Sequence, residues 1–398
     1  MRSVGIICEC NPFHGGHQYL IDRARASGAD AVICVMSGNF VQRGEAAILS
    51  PHARAEILAE SGADAVFELP FPFSAASAEF FGRAGVEMLS RLGVDELWFG
   101  SECGNTDALW RLANVADSDA FREKYAAHAE GESGTADAYF ALLSEMAGTD
   151  AACAPNDILG ISYLRALRRL NSRMRPVTIK RQGSGYSEQT LSAGQFPSAT
   201  ALRRAWKEQG LSALNGYLSP VSAAVIAREQ AEGHAPADLK HAEALVLGML
   251  RLTPLSELET YAGLGGGLAG RMKDAASRAT SLQEFYALCA TKKYPDARIR
   301  RGVLSALLRV REENLHAPIA YAHLLAATER GCEFLAQARR TSNVPVVTRK
   351  TDLPDAKEAQ QQFDFECRAT ALYSLCLPQT ADAEEQMRRT PLILKKKS

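Results

Sequence analysis

The apolar positions of this chain follow two different rhythms. In the first half, short continuous apolar runs end in small or polar residues and give way to helical spacing, as in "VGIICECNPFHGGHQYLIDRARASG", "DAVICVMSGNFVQRG" and "VDELWFGSECGNTDALWRLANVA". Runs without polar alternation predict strands buried on both faces, and their alternation with helices predicts a parallel sheet with crossover helices. "ADAVFELPFPFSAAS" and "RPVTIKRQGSGYS" add two further strands. Residues 1–205 therefore read as an open, Rossmann-like α/β domain, in which ligands bind at the carboxyl ends of the strands.

Beyond Trp206 the rhythm changes. "SPVSAAVIAREQAEG", "LKHAEALVLGMLRLT", "ARIRRGVLSALLRVREEN" and "IAYAHLLAATERG" carry helical spacing, and "SNVPVVTRKTD" is the one strand-like exception. Residues 206–398 read as a second, mostly α-helical domain that ends in a loose basic tail, "LILKKKS". Two domains suit a chain of 398 residues at roughly 100–200 residues each.

Composition narrows the function classes. A formal net charge of −1 gives no global attraction to nucleic acid or to an anionic membrane, so any such partner must be held by a local patch. No apolar run reaches the roughly 18 residues of a membrane span, and Met1-Arg2-Ser3 runs into the first strand without a signal-peptide core, which predicts a cytoplasmic protein. Nine cysteines form no CxxC pair and no zinc-like spacing, consistent with free thiols in a reducing compartment.

The candidate chemistry begins at His14 and His17, three apart between a strand and a helix. Three readings are open: metal ligands, structural histidines, or donors to a polyphosphate. The surroundings bear on the third. Gly15 and Gly16 allow close backbone approach, and a helix beginning around His17 presents amides and a positive dipole end to an anion. In "FPSATALRRAW", Ser198 and Thr200 open another helix with Arg203 one turn on. Hydroxyls, a helix N-terminus and an arginine make a second anion site, with an N-cap and a solvated arginine as the plain alternative. Asn156 of "APNDILGISYLRAL" reads as a helix N-cap, and Arg181 ends a strand.

At this point the sequence resembles a known family. "NPFHGGH" is similar to the HxGH signature of the nucleotidyltransferase superfamily. "GIICECNPFHGGH", "MSGNFVQRGEAAILSPHARAEILAESGADAVFELP", "FGSECG", "PNDILGISYL", "IKRQGSGY" and "PSATALRRAW" stand in the order of the bacterial tRNA(Met) cytidine acetate ligases, with "TKKYPDARIRRGVL" a weaker match in the second half. The resemblance implies a nucleotidyltransferase-like N-terminal domain that uses ATP and acetate to make N4-acetylcytidine at the wobble position of elongator methionine tRNA. It implies acetyl-adenylate as the intermediate, with release of pyrophosphate and then AMP.

For the residues, it implies that His14, His17, Ser198, Thr200 and Arg203 act on the triphosphate. It implies ATP contacts from Ile7, Cys8, Glu9, Cys10, Asn11, Pro12, Phe13, His14, Gly15, Gly16, His17, Gln18, Tyr19 and Leu20, with Gly100, Asn156 and Arg181. Mg²⁺ is expected with ATP, although the sequence offers no dedicated metal cage. Cys10 stands where an aromatic is more usual and Gly16 where asparagine is. Tyr186-Ser187-Glu188 replace a turn that often carries histidine.

The loop "MSGNFVQRGE" opens on the same sheet edge as the histidines, and Asn39, Gln42 and Arg43 are its substrate-side candidates. Two basic clusters suit an RNA backbone: residues 164–182 with Arg168 and Arg169, and residues 292–311 with Lys292, Lys293, Arg298, Arg300 and Arg301. Tyr294 beside the second cluster is a candidate stacking platform. "GGGLAG", residues 265–270, follows a helical pattern and no strand, so it reads as a loop rather than a dinucleotide fingerprint. Two rival functions remain: an adenylyltransferase acting on a small phosphorylated metabolite, and a non-catalytic RNA-binding protein.

Overall fold

The structure is a computed structural model that describes residues 1–131, 136–149, 154–181 and 197–395. Its strands in chain order are β1 (Ser3–Cys8), β2 (Ala31–Ser37), β3 (Phe40–Val41), β4 (Glu45–Ala46), β5 (Ala65–Leu69), β6 (Glu96–Ser101), β7 (Arg175–Lys180), β8 (Ala322–Thr328), β9 (Val346–Val347) and β10 (Leu392–Leu394). The main sheet runs β10-β8-β5-β2-β1-β6-β7, with β9 beside β8, and β3 pairs with β4 as a separate hairpin.

The five strands expected from the first half form and lie parallel. Every residue of β2 is buried, as an uninterrupted apolar run between two helical layers requires. On one face, Ile7, Ile33, Val35 and Phe67 pack with Phe81 and Leu89 of helix Ala78–Arg91 and Leu164 of helix Pro155–Arg169. On the other, Ile6, Val32, Cys34 and Met36 meet Ile57 of helix Pro51–Glu60 and Leu202 and Trp206 of helix Ala199–Gln209. A third core joins Val246, Met272, Phe285, Ile299 and Tyr373 of the second half to Phe40 and Phe71 of the first.

Two expectations for the second half are corrected. "IAYAHLLAATERG" is not one helix: Ala322–Thr328 is strand β8, antiparallel to β5, and a helix begins at Glu329. Helix-forming Leu and Ala are overridden here by the free edge of β5, which leaves its backbone groups unpaired unless another strand covers it. "LILKKKS" is not a loose tail throughout, since Leu392–Leu394 pair with β8 as β10. "SNVPVVTRKTD" does supply a strand, β9.

Among the described residues no helix is long and apolar enough to cross a membrane. What positions the site is the order of strands around β1. The chain leaves β1 toward β2 and β5, then returns to the other side of β1 as β6 and β7. The crevice at the carboxyl ends of β1 and β6 is thus the topological switch point, where open α/β sheets take their ligands.

Candidate active site

At the end of β1 the chain turns through Cys10, whose φ is 49°, and helix Gly15–Ala26 begins with His14 as its N-cap. The His14 Nδ1 accepts from the Gly16 N–H at 3.0 Å, and the His17 Nδ1 accepts from the His14 N–H at 3.2 Å. This is a reciprocal capping box made by two imidazoles. Each Nδ1 is an acceptor, so the proton of each neutral ring sits on Nε2, which remains a donor. The ring centroids are 4.0 Å apart. A Cβ on Gly16 would come within 2.9 Å of His14 Cε1, so the bare glycine lets that ring fold over the first helical turn.

Burial keeps both rings neutral. It pushes His14 well below the usual histidine range, with His17, Arg181 and Arg203 acting in the same sense. It brings His17 down to about 4, with Arg181 helping and Cys8 opposing. Two neutral N–H donors at a helix N-terminus suit an anion better than a cation, because the dipole repels a metal ion there.

Around them lies a cavity of about 220 Å³. Of the residues singled out from the sequence, it is lined by Ile7, Cys8, Glu9, Cys10, Asn11, His14, Gly16, His17, Tyr19, Leu20, Gln42, Arg43, Gly100, Asn156, Arg181, Ser198, Thr200 and Arg203. The structure therefore brings together segments from β1, β6, β7, the loop after β2 and helix Ala199–Gln209. Pro12, Phe13, Gly15, Gln18 and Asn39 are not in the lining. Phe13 is buried and stacks on His17 with centroids 5.5 Å apart, Gln18 donates to Asp22 and the Ser61 carbonyl, and the Asn39 amide donates to Thr370 Oγ1 at 3.0 Å. Tyr186, Ser187 and Glu188 lie outside the described residues.

The lining also holds Phe81, Phe99, Leu159, Tyr163 and Ile179, an apolar wall that the sequence reading missed. Ile179 and the neighbouring Lys180 were findable, since they end the strand that leads into Arg181. The others sit at core-like positions that read no differently from core.

Two residues, Asn156 and Arg203, hold positions the sequence did not foresee, and Ser198 takes the plain capping role it offered. Asn156 is not the cap of helix Pro155–Arg169; that place is Ala154, and the Glu102 carboxylate does the capping. Glu102 accepts from the Asn156 N–H at 3.2 Å, the Asn156 side-chain amide at 2.6 Å and the Asp157 N–H at 3.0 Å. Ser198 caps its helix, accepting from the Ala201 N–H at 3.1 Å. Arg203 is anchored: it donates to the Asn11 carbonyl at 2.8 Å and to Glu45 at 3.1 Å. A Cβ on Gly100 would meet Arg181 Cγ at 3.3 Å, so this glycine gives the arginine its room.

The loop after β2 ties the cavity to the second half of the chain. Glu9, pushed up by burial against the pull of Arg203, accepts from the Gln42 N–H at 2.8 Å. Glu45 also pairs with Arg300 at 2.6 Å, and Arg301 donates to the Gln42 carbonyl at 3.3 Å. Gly44, with φ 75°, lies so close to helix Asp296–Leu308 that a Cβ would sit 2.5 Å from the Arg301 nitrogen. Beneath the loop the fully buried Arg54 donates to the carbonyls of Glu9, Ser37, Gly38 and Leu49.

The basic clusters divide. Arg168 and Arg169 bond Asp117, and Arg169 also reaches Glu79 at 2.7 Å, so acids from other segments pair these two arginines of the first cluster. Arg300 and Arg301 are engaged by the loop after β2. Lys292 and Lys293 are exposed and Arg298 half-buried around Tyr294. Tyr294 itself is buried, only 7% exposed, and its hydroxyl bonds the Gly266 carbonyl, so it supports this surface rather than offering a free ring.

Comparison with known proteins agrees with this geometry. The HIGH Nucleotidyl Transferase family matches residues 1–388. The tRNA(Met) cytidine acetate ligase of Syntrophotalea carbinolica is 36% identical over 403 residues, covering 95% of each chain. That of Halothermothrix orenii is 31% identical over 407 residues, covering 95% of this chain and 96% of its own. Among solved structures, apo TmcAL of Thermotoga maritima superposes with a TM-score of 0.92 at 30% identity, over the whole of both chains. The same protein bound with alpha-thio ATP gives 0.90 at 29% identity, again over both whole chains. The chain belongs to the HIGH nucleotidyltransferase family and, within it, to the tRNA(Met) cytidine acetate ligases.

Proposed function

We propose that this protein joins acetate to a cytidine of tRNA, forming N4-acetylcytidine at the wobble position of elongator methionine tRNA at the expense of ATP. An acetate oxygen attacks the α-phosphorus, the bond to the β-phosphate oxygen breaks, and pyrophosphate leaves. The cytosine amine then attacks the acetyl carbon, the bond to AMP breaks, and the amine loses one proton. Neither step needs a covalent enzyme nucleophile, so catalysis rests on positioning and on donors aimed at charge.

The paired imidazoles carry this reading. Their Nδ1 atoms are committed to the helix cap, so their Nε2–H groups serve the α- and β-phosphates as fixed neutral donors. Thr200, Arg203 and the helix that Ser198 caps receive the departing pyrophosphate. Gly100, Asn156 and Arg181 hold the nucleotide, while Gln42 and Arg43 face the carboxylate. Lys292, Lys293 and Arg298 take the tRNA backbone. Glu9 is the one acidic side chain in the lining among the described residues, so Mg²⁺, which screens phosphate charge, would be held mainly by the triphosphate oxygens.

A small-metabolite adenylyltransferase would leave the contact between the loop and helix Asp296–Leu308 without purpose. A purely RNA-binding protein would leave the cavity without one. The test is ATP–pyrophosphate exchange with and without acetate. Exchange that requires acetate and falls at least about 100-fold in His17→Ala supports the proposal. Exchange that ignores acetate contradicts it.

A further inference from the structure

A second cluster of ionisable groups lies away from the cavity. Glu68 on β5 and His323 on β8 are register partners across the antiparallel pair, and Glu366 comes from helix Lys357–Ser374. The His323 Nδ1 is 3.1 Å from Glu68 Oε2 and 3.9 Å from Glu366 Oε2. One donor atom from each of the three lies within 4.8 Å of the other two. An ion bound at about 2.0–2.2 Å to nitrogen and oxygen ligands spaces them about 3.4 Å apart, so the 3.1 Å pair opens slightly and the 3.9 Å pair closes. The side chains are 11%, 13% and 4% exposed.

A separate observation points into the same place. Tyr321, 1% exposed, turns its hydroxyl toward the Glu366 carboxylate, and it lines a cavity with His323 and Glu366. That cavity measures about 10 Å³, room for one atom-sized occupant. Arg349, Lys350 and Arg389 also line it, but Arg349 is exposed, the Lys350 ammonium sits over the Phe363 ring and Arg389 pairs with Glu385.

We propose that Glu68, His323 and Glu366, with Tyr321 supporting the Glu366 carboxylate, bind one divalent first-row cation of the Zn²⁺ class. One imidazole and two carboxylates match the donor types such ions take. Burial pushes Glu366 up to about 7, with the Glu68 charge adding to it, and burial also raises Tyr321. A bound cation reverses both directions and relieves two carboxylates crowded in a dry site. The ion would clamp β5, β8 and helix Lys357–Ser374 together. It would also brace the root of the substrate-side loop, because Glu68 Oε1 lies where a Cβ on Gly38 would be. This proposal does not depend on the acetate ligase reading.

The test is equilibrium dialysis of the untagged full chain against Zn²⁺ after chelator treatment, with metal counted by mass spectrometry. One Zn²⁺ per chain is expected, with affinity at least about tenfold lower in Glu366→Gln and in His323→Gln. His234→Gln should retain full uptake, because it removes only the more exposed Glu229, Glu232 and His234 group. Chelator should lower the Tm of the wild type but not that of Glu366→Gln. The proposal is overturned if the wild type takes up no Zn²⁺, or if both variants bind it as the wild type does. A trio that merely shares a proton gives no uptake, and Glu366→Gln then raises the Tm.

Discussion

Replacing His17 with glutamine separates the capping role of the second imidazole from its titration. Glutamine at the third helical position can still accept from the His14 N–H, as capping boxes with Glu or Gln in that place do. Stability at pH 7.5 should therefore change by no more than about 1 kcal/mol. The pH dependence should change more. Burial brings His17 from 6.5 to about 4, so between those values the unfolded chain binds a proton that the folded chain does not. Stability is then full above 6.5 and is lost as pH falls toward 4. At about 1.4 kcal/mol per pKa unit, this one group removes about 2 kcal/mol between pH 7.5 and pH 5. Urea unfolding of both proteins at both pH values reads the difference, since the other groups are common to the two. The wild type should lose about 2 kcal/mol more than His17→Gln on acidification. Equal losses would refute a buried, neutral His17.

Three further outcomes follow from the same geometry. Arg54→Met leaves four carbonyls beneath the site without their donor, partly offset by removing a buried charge, and should cost about 3 kcal/mol in urea unfolding; a loss under about 1 kcal/mol contradicts that role. Gly44→Ala forces a Cβ against the Arg301 backbone at positive φ and should raise KM for acetate or tRNA several-fold in steady-state assays while ATP binding by calorimetry stays unchanged. The double change Lys293→Ala with Arg298→Ala should lower tRNA affinity and flatten its log–log salt dependence by about 1 to 2 in fluorescence anisotropy, whereas Arg168→Ala with Arg169→Ala, already paired with acids, should not.

The α/β half was legible because strands such as β2 are buried on both faces, and an uninterrupted apolar run has few other uses. The strand β8 was not. Its "AHLLAAT" is built from good helix formers, and its partner β5 lies some 250 residues earlier, beyond any local pattern. The histidine motif was legible because cap, turn and anion site are all made within one short segment. The apolar wall was hidden because Phe81, Leu159 and Tyr163 sit on helices among core residues. Arg168 and Arg169 of the 164–182 cluster looked unopposed only along the chain: Glu79 and Asp117, from distant segments, pair with them in space.

The most direct measurement is transfer of labelled acetate into unfractionated tRNA by the purified chain with ATP, followed by digestion to nucleosides and chromatography. The account predicts label in a single nucleoside, N4-acetylcytidine, recovered from elongator methionine tRNA, with AMP formed in equal amount and transfer abolished in His14→Ala. Label that stays in a small molecule, or ATP consumed without any labelled nucleoside, would contradict it.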